Sequence, residues 1–398
     1  MIINTGGRTD TVQYYTDWLL RRFKEGYALT RNPLFPTKVN RYELDPKVVD
    51  CVVFCSKNYR PILSRLHEVT DRFNTYFHYT ITAYGPDIEP GVPSIDESMA
   101  TLIELSQLVG RRRVSWRYDP VLLTGDYTIR RHLETFDRMA RVLAPHIDRC
   151  IFSFVEMYKK LRFNMPELIP LSVEDMDELA RGLGSIAAAY GMRIQTCGTN
   201  GDFSRYGIQS SGCMTLDILG EASGVAFKNR KHKGMRQGCH CIESRDIGAY
   251  DTCLNGCKYC YANQTPQKAF ENYKLHEPAS PLLLGRVGPD DTVTQGVQKT
   301  FLVPSPLQAY PRRFSTAWRA ATLPECTLNA LAEPGVEIVY RGGHIRVDRA
   351  NGGGQVLLAR NPKSSLERRP WASLSTSTTS SGVGSSNPPT SSSRMGSI

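Results

Sequence analysis

The 398-residue chain has no apolar run approaching the roughly 18 to 20 residues that a membrane helix needs. Nor does its start, MIINTGGRTD, carry the basic region and apolar stretch of a secretory signal. With 40% hydrophobic and 22% charged residues it lacks the bias of a disordered chain or a coiled coil. These absences set the expectation of a soluble, cytoplasmic protein with no membrane partner, long enough to bury one large core or two ordinary ones.

A strong charge of one sign is also missing from most of the chain. The formal net charge is +10. Residues 301–398 hold 11 Lys and Arg against 5 Asp and Glu, a net +6, which leaves 38 minus 34, or +4, for residues 1–300. Because the excess sits mostly in a segment whose composition folds poorly, nucleic acid is a disfavoured partner. Past residue 300 there are isolated apolar pieces at 336–340 and 355–358 but no long amphipathic helix, and residues 373–398 hold 15 Ser or Thr among 26. The expected organisation is one domain over 1–270, a connecting segment over 271–300, a weakly structured extension over 301–372 and a disordered Ser/Thr-rich tail over 373–398.

Within the first 200 residues, short β-branched runs alternate with helical patterns. Met1–Asn4, Val49–Cys55, Tyr76–Ala83, Val114–Tyr118, Cys150–Val155 and Met192–Thr196 are expected strands. Between them, Asp17–Glu25 places Trp18, Leu19 and Phe23 on one face. Ile95–Val109 lies between Ser94 and Gly110, Thr128–Leu143 has an apolar stripe of Ile129, Leu133, Phe136, Ala140 and Leu143, and Ser172 with Asp175 forms a capping box. Six such βα units, with further extended pieces near Ile208 and Ile242, predict an α/β fold: an incomplete or irregular (β/α) TIM-like barrel. An open doubly wound sheet is the alternative.

In either fold, ligands gather at the carboxyl ends of the strands, so the residues there form the candidate site. Arg8 and Asp10 follow the first strand, Lys57 the second, and Arg117 and Asp119 the fourth. Their predicted role is to hold an anionic or polar substrate, a small molecule or a macromolecule. The plain alternative makes Asp10 and Asp119 helix caps, with Arg8 and Arg117 solvated or paired to them. Since Trp116 and Tyr118 alternate with Arg117 and Asp119, the two charges should share one face of the sheet.

Cysteine usage is uneven. Of 11 cysteines, Cys239, Cys241, Cys253, Cys257 and Cys260 crowd into one stretch, while Cys51, Cys55, Cys150, Cys197, Cys213 and Cys326 are scattered. Crowding of this kind in a cytosolic chain points to metal rather than disulfides. In Cys253-Leu-Asn-Gly-Cys257-Lys-Tyr-Cys260, three thiolates can reach three irons of one 4Fe-4S cube and leave the fourth open. An open iron is what S-adenosyl-L-methionine requires, and Tyr259 would shield the cluster and pack near the adenine, or serve only as a core aromatic. Cys239 or Cys241 can instead supply a fourth thiolate and close the cluster, and the five crowded cysteines with His240 can alternatively bind zinc.

The motif CLNGCKYC resembles the cluster loop of the radical S-adenosylmethionine superfamily. More broadly, residues 1 to about 265 resemble an uncharacterised bacterial and archaeal family, a domain of unknown function whose carboxyl-terminal cysteines are similar to that loop. The resembling segments are RTD at 8–10, FCSKN at 54–58, YTITAYGPDIEP at 79–90, WRYDPVLLT at 116–124 and GCHCIESRDIGAYDTCLNGCKYCYAN at 238–263. The resemblance implies a radical-enzyme-like barrel served by a reductant such as flavodoxin or ferredoxin. It departs from ordinary radical enzymes in two ways: the loop follows the last strand rather than the first, and no Gly-Gly-Glu-like strand end is present. A repair lyase acting on nucleic acid, and an iron-sulfur or zinc protein whose metal is purely structural, are the competing functions.

Overall fold

Local capping chemistry places the helices where the sequence marks them. The computed structural model describes residues 1–228 and 239–303 in full, together with the backbone of three strands between residues 336 and 358. Ser94 accepts from the Glu97 amide while Glu97 accepts from the Ser94 amide, a reciprocal box that satisfies two otherwise orphaned donors. Ser172 and Asp175 do the same, and Thr128 caps its helix through the Arg131 amide.

The first unit, Met1–Leu307, runs β1 (Ile2–Asn4), α1 (Thr11–Tyr14), α2 (Thr16–Glu25), β2 (Tyr27–Arg31), β3 (Lys38–Glu43), β4 (Cys51–Ser56), α3 (His67–Thr70), β5 (Thr75–Thr80), α4 (Ile95–Val109), β6 (Val114–Val121), α5 (Ile129–Leu143) and β7 (Arg149–Phe154). It continues through α6 (Leu161–Asn164), α7 (Val173–Ala189), β8 (Arg193–Thr196), β9 (Gln209–Ser210), α8 (Leu216–Ser223), β10 (Arg245–Asp246), α9 (Pro266–Lys274) and β11 (Thr292–Gln295).

Eight of these strands form one parallel sheet in the order β10-β1-β4-β5-β6-β7-β8-β9. From β1 to β9 the order advances without reversing, unlike the doubly wound alternative. Parallel pairing brings every carboxyl end to one edge. Barrel closure is a separate matter: among the described residues, no strand pairing joins β9 to β10. The segments beside them do touch, since the Ile242 amide donates to the Met214 carbonyl at 2.8 Å.

Alternation along the strands divides the side chains. Val52, Phe54, Phe77, Tyr79, Trp116, Tyr118, Cys150 and Phe152 enter the main core with apolar residues of α2, α4, α5 and α7. Trp116 is fully buried and stacks on Phe136 of α5 at 4.7 Å. Truncating such a ring costs about 3–5 kcal/mol. On the opposite face Ile2, Cys51, Val53 and Tyr76 join Leu216, Ile218 and Leu219 of α8 in a second apolar cluster.

Several boundaries differ from the sequence expectation. Pro120 lacks an amide proton, which argues for ending the fourth expected strand at Tyr118; β6 nevertheless runs to Val121, with a register shift between the Tyr118–Phe152 and Val121–Phe154 pairs. A hairpin of β2 and β3, extended by β11 parallel to β3, makes a second sheet where no strand was expected. The interrupting Asn32–Thr37 stretch, with two prolines, hides its alternation. Phe301 is buried in the second apolar cluster, and its amide donates to Asp50, so this unit reaches beyond residue 300.

The second unit, Gln308–Ile398, contains the antiparallel strands β12 (Val336–Arg341), β13 (His344–Arg349) and β14 (Gly354–Leu358). The rest of the expected extension and the Ser/Thr-rich tail lie outside the described residues. No helix among the described residues is long and apolar enough to cross a membrane.

Candidate functional site

The sheet face opposite the helix-packed core becomes polar toward the carboxyl ends of the strands. Arg117 Nη1 donates to Cys55 Sγ at 3.3 Å, and its other terminal nitrogen pairs with Asp119, which also accepts from Ser153. Asp119 therefore caps no helix. Burial pulls the Arg117 guanidinium toward neutrality, but Asp119 and Cys55 outweigh it and hold the group charged.

Asp10 does more than cap α1. Its carboxylate accepts from the Gln13 amide at 3.0 Å, Ser56 Oγ at 2.7 Å, the Lys57 amide at 2.9 Å and Asn255 Nδ2 at 3.3 Å. Four donors fill its acceptor capacity, so it ties the loops after β1 and β4 to the cysteine loop. Burial still raises its pKa against these bonds. Arg8 lies apart from this group, over the Tyr250 ring at 5.5 Å, and lines a cleft of about 630 Å³ with Arg31, Tyr250, Tyr261 and Gln264. That volume is within the range of small-molecule sites.

Lys57 points to a residue that the sequence reading missed. Its ammonium meets Glu89 Oε1 at 2.9 Å, and the same oxygen accepts from Thr82 at 2.8 Å and from the Tyr259 hydroxyl. Glu89 is 3% exposed. Burial works against the charge on Lys57, yet Glu89 and Cys257 more than offset it and raise the pKa above the usual lysine value. Glu89 stands inside the YGPDIEP stretch without any periodic or spacing signal, and a single buried carboxylate is invisible until its partners are known.

The cysteine loop is fixed from both sides. Gly91 donates to the Asn255 carbonyl at 2.9 Å and Lys258 to the Ile88 carbonyl at 3.0 Å, so the turn carrying Glu89 and the loop carrying Cys257 are laced together. Gly256 has φ +64°, a left-handed turn that brings Cys257 back toward Cys253. Cys260 closes onto the Cys257 carbonyl at 3.0 Å, and the Ala262 amide donates to Cys260 Sγ at 3.3 Å. Burial pushes the Cys253 thiol up to about 12 and the Cys257 thiol well above its ordinary value, with Glu89 adding to the latter. Metal coordination removes such protons, so the elevation is a property of the free thiols. Tyr259, two residues after Cys257, has its hydroxyl on Glu89 and its ring 5.9 Å from that of Tyr84.

Closer still are three cysteines of which two looked scattered. The Sγ atoms of Cys197, Cys213 and Cys241 lie within 4.8 Å of one another. Cys253, Cys257 and Cys260 share a loop and feel one another's charge, but do not meet that spacing. The side chain of Cys239 is in contact with Cys241. Cys326 lies outside the described residues.

Residues 2–262 match the sequence profile of the family described as Domain of unknown function (DUF1848). The chain belongs to this family. The DUF1848 match ends two residues after Cys260, so it contains both groups of cysteines and stops short of α9. No curated protein matches the chain. Among solved structures, a protein described as a putative alpha-L-fucosidase from Bacteroides thetaiotaomicron VPI-5482 is 11% identical, with a TM-score of 0.24. The alignment covers 54% of this chain and 60% of that one, a likeness too slight to bear on fold or activity.

Proposed function

We propose that this DUF1848 protein is a radical S-adenosylmethionine-type enzyme, with a 4Fe-4S cluster held by Cys253, Cys257 and Cys260. The observation that carries the reading is the C-x3-C-x2-C loop, laced by backbone bonds to the turn that bears Glu89. Soft thiolates at this spacing suit the irons of a cube, whose ligands stand on different metals and so farther apart than ligands of a single ion. An amide aimed at Cys260 Sγ and the ammonium of Lys57 near Cys257 are the partners an anionic thiolate cluster needs. When bound, such a cluster supplies one electron for the reductive cleavage of S-adenosyl-L-methionine.

The chain's own groups then divide the remaining work. Lys57 and Glu89 keep a buried ion pair beside the loop and orient Tyr259. Arg117 and Asp119 present a polar pair to a substrate over the sheet edge, and Arg8 offers a cation and an aromatic neighbour at the cleft. Asp10 acts as a structural tie. Closure of the parallel sheet into a barrel around this face, a cytoplasmic setting and a flavodoxin- or ferredoxin-like reductant complete the reading.

The test is anaerobic reconstitution with iron and sulfide, then dithionite and S-adenosyl-L-methionine, with 5'-deoxyadenosine and methionine followed by chromatography. Production that disappears in Cys257→Ala supports the proposal. An iron-loaded protein that cleaves no cofactor refutes the enzyme reading, and one that takes up no iron refutes the cluster.

A further inference from the structure

We infer that Cys197, Cys213, Cys241 and Cys239 form a second metal centre: a mononuclear tetrahedral zinc site, separate from the Cys253–Cys260 loop. The Sγ of Cys241 lies 3.7 Å from that of Cys197 and 3.5 Å from that of Cys213. Four thiolates around one zinc, each about 2.3 Å from it, stand on a tetrahedron whose edges are about 3.8 Å. A disulfide would bring two sulfurs to about 2.05 Å, so these separations fit three ligands of one ion and not a bridge. Cys239, two residues before Cys241, has its side chain in contact with Cys241 but stands outside the 4.8 Å grouping of the other three sulfurs, so it is the thiol that would turn inward to take the fourth position.

The surroundings suit a closed, structural site. Cys197 directly follows β8, Cys213 lies just beyond β9, and Cys241 precedes β10, so the ion would join the two ends of the parallel sheet. Their backbones are already pressed together: a Cβ on Gly212 would fall 2.6 Å from the His240 carbonyl carbon and 2.7 Å from the Cys241 nitrogen. Met214, Leu216, Ile242 and Phe301 supply an apolar wall that limits water. Arg117 is near enough to Cys213 and Cys197 to offset part of the negative charge that four thiolates place on a divalent ion.

The inference does not depend on the iron-sulfur proposal. It is tested on the full-length chain and on a variant with Cys253, Cys257 and Cys260 all changed to Ala, both purified anaerobically from zinc-supplied cells and analysed for zinc, iron and sulfide. About one zinc per chain is expected in both proteins, with at least a tenfold loss in Cys213→Ser and Cys241→Ser. Cobalt exchanged into the wild type should give the thiolate charge-transfer bands of a tetrahedral site. Should the serine variants fail to fold, a strong chelator added to the wild type should strip the zinc and lower its melting temperature. Zinc-free wild-type protein overturns the inference. So does iron with sulfide retained in the triple variant, which would make this a second cluster, or a Cys213–Cys241 disulfide found by mass spectrometry. Absence of iron and of cofactor cleavage, with zinc present, would refute the enzyme reading alone.

Discussion

Glu89→Gln is the most direct probe of the buried network beside the cysteine loop. Gln keeps the side-chain shape and one carbonyl acceptor but removes the charge opposite Lys57. In the wild type a single oxygen, Oε1, receives the Lys57 ammonium at 2.9 Å together with Thr82 and the Tyr259 hydroxyl. Lys57 is 13% exposed and Glu89 3%, so solvent screens the pair only weakly. Breaking a buried pair on one side costs about 3–5 kcal/mol, because the surviving charge loses its partner without regaining water. For a domain of this size that corresponds to a fall in melting temperature on the order of 10 °C. The pH dependence follows from the raised pKa of Lys57. A base whose folded pKa lies above its unfolded value contributes stability that is complete below the unfolded pKa and is lost as pH rises through the folded one. The Gln variant should therefore show a constant deficit from about pH 6 to about pH 9 by calorimetry, narrowing only in stronger alkali. Lys57→Met in the same chain should recover much of the loss, since no unpaired charge is left. A Gln variant melting within about 1 °C of wild type would refute the argument, for it would mean that Lys57 finds water or another anion.

Asp10→Ala should destabilise the protein by about 3 kcal/mol or more, because four donors lose one acceptor; unchanged thermal stability would show that water replaces the carboxylate. Asp119→Asn, which keeps shape and removes charge, should lower substrate turnover at least tenfold; a variant that only melts lower, with cofactor cleavage and turnover intact, would assign Arg117–Asp119 a purely structural role. A stop after Leu307 should leave iron content unchanged, whereas a stop after Gln298 removes the buried Phe301 and its bond to Asp50 and should cost about 3 kcal/mol or more, read by denaturant titration. Arg31 holds the Asp291 carboxylate down to about 2, so their contact should persist above the ordinary carboxylate value and be lost as pH falls from about 4 toward about 2. Hydrogen exchange at Thr292–Gln295 should speed up over that window, and exchange rates that ignore it would count against the pair.

The sequence by itself determined what short-range chemistry controls. Helices α4, α5 and α7 begin and end close to where Ser94, Thr128, Ser172 and Gly110 mark them, because a cap and an amphipathic stripe involve residues within a few turns of each other. The six expected strands lie in one parallel sheet, since β-branched runs between helices can hardly pair otherwise. The C-x3-C-x2-C loop was legible for the same reason: its three cysteines fall within eight residues of chain. Pairings across long separations were not. Glu89 is ordinary until Lys57, Thr82 and Tyr259, drawn from three separate segments, converge on one of its oxygens. Cys197 and Cys213 stand 44 and 28 residues before Cys241, among intervening elements that carry no sign of the meeting. Only the tertiary structure, in which the segment after β9 touches the segment before β10 through the Met214–Ile242 bond, decides that these thiols meet, because loop closure over such distances is governed by the packing of everything between them.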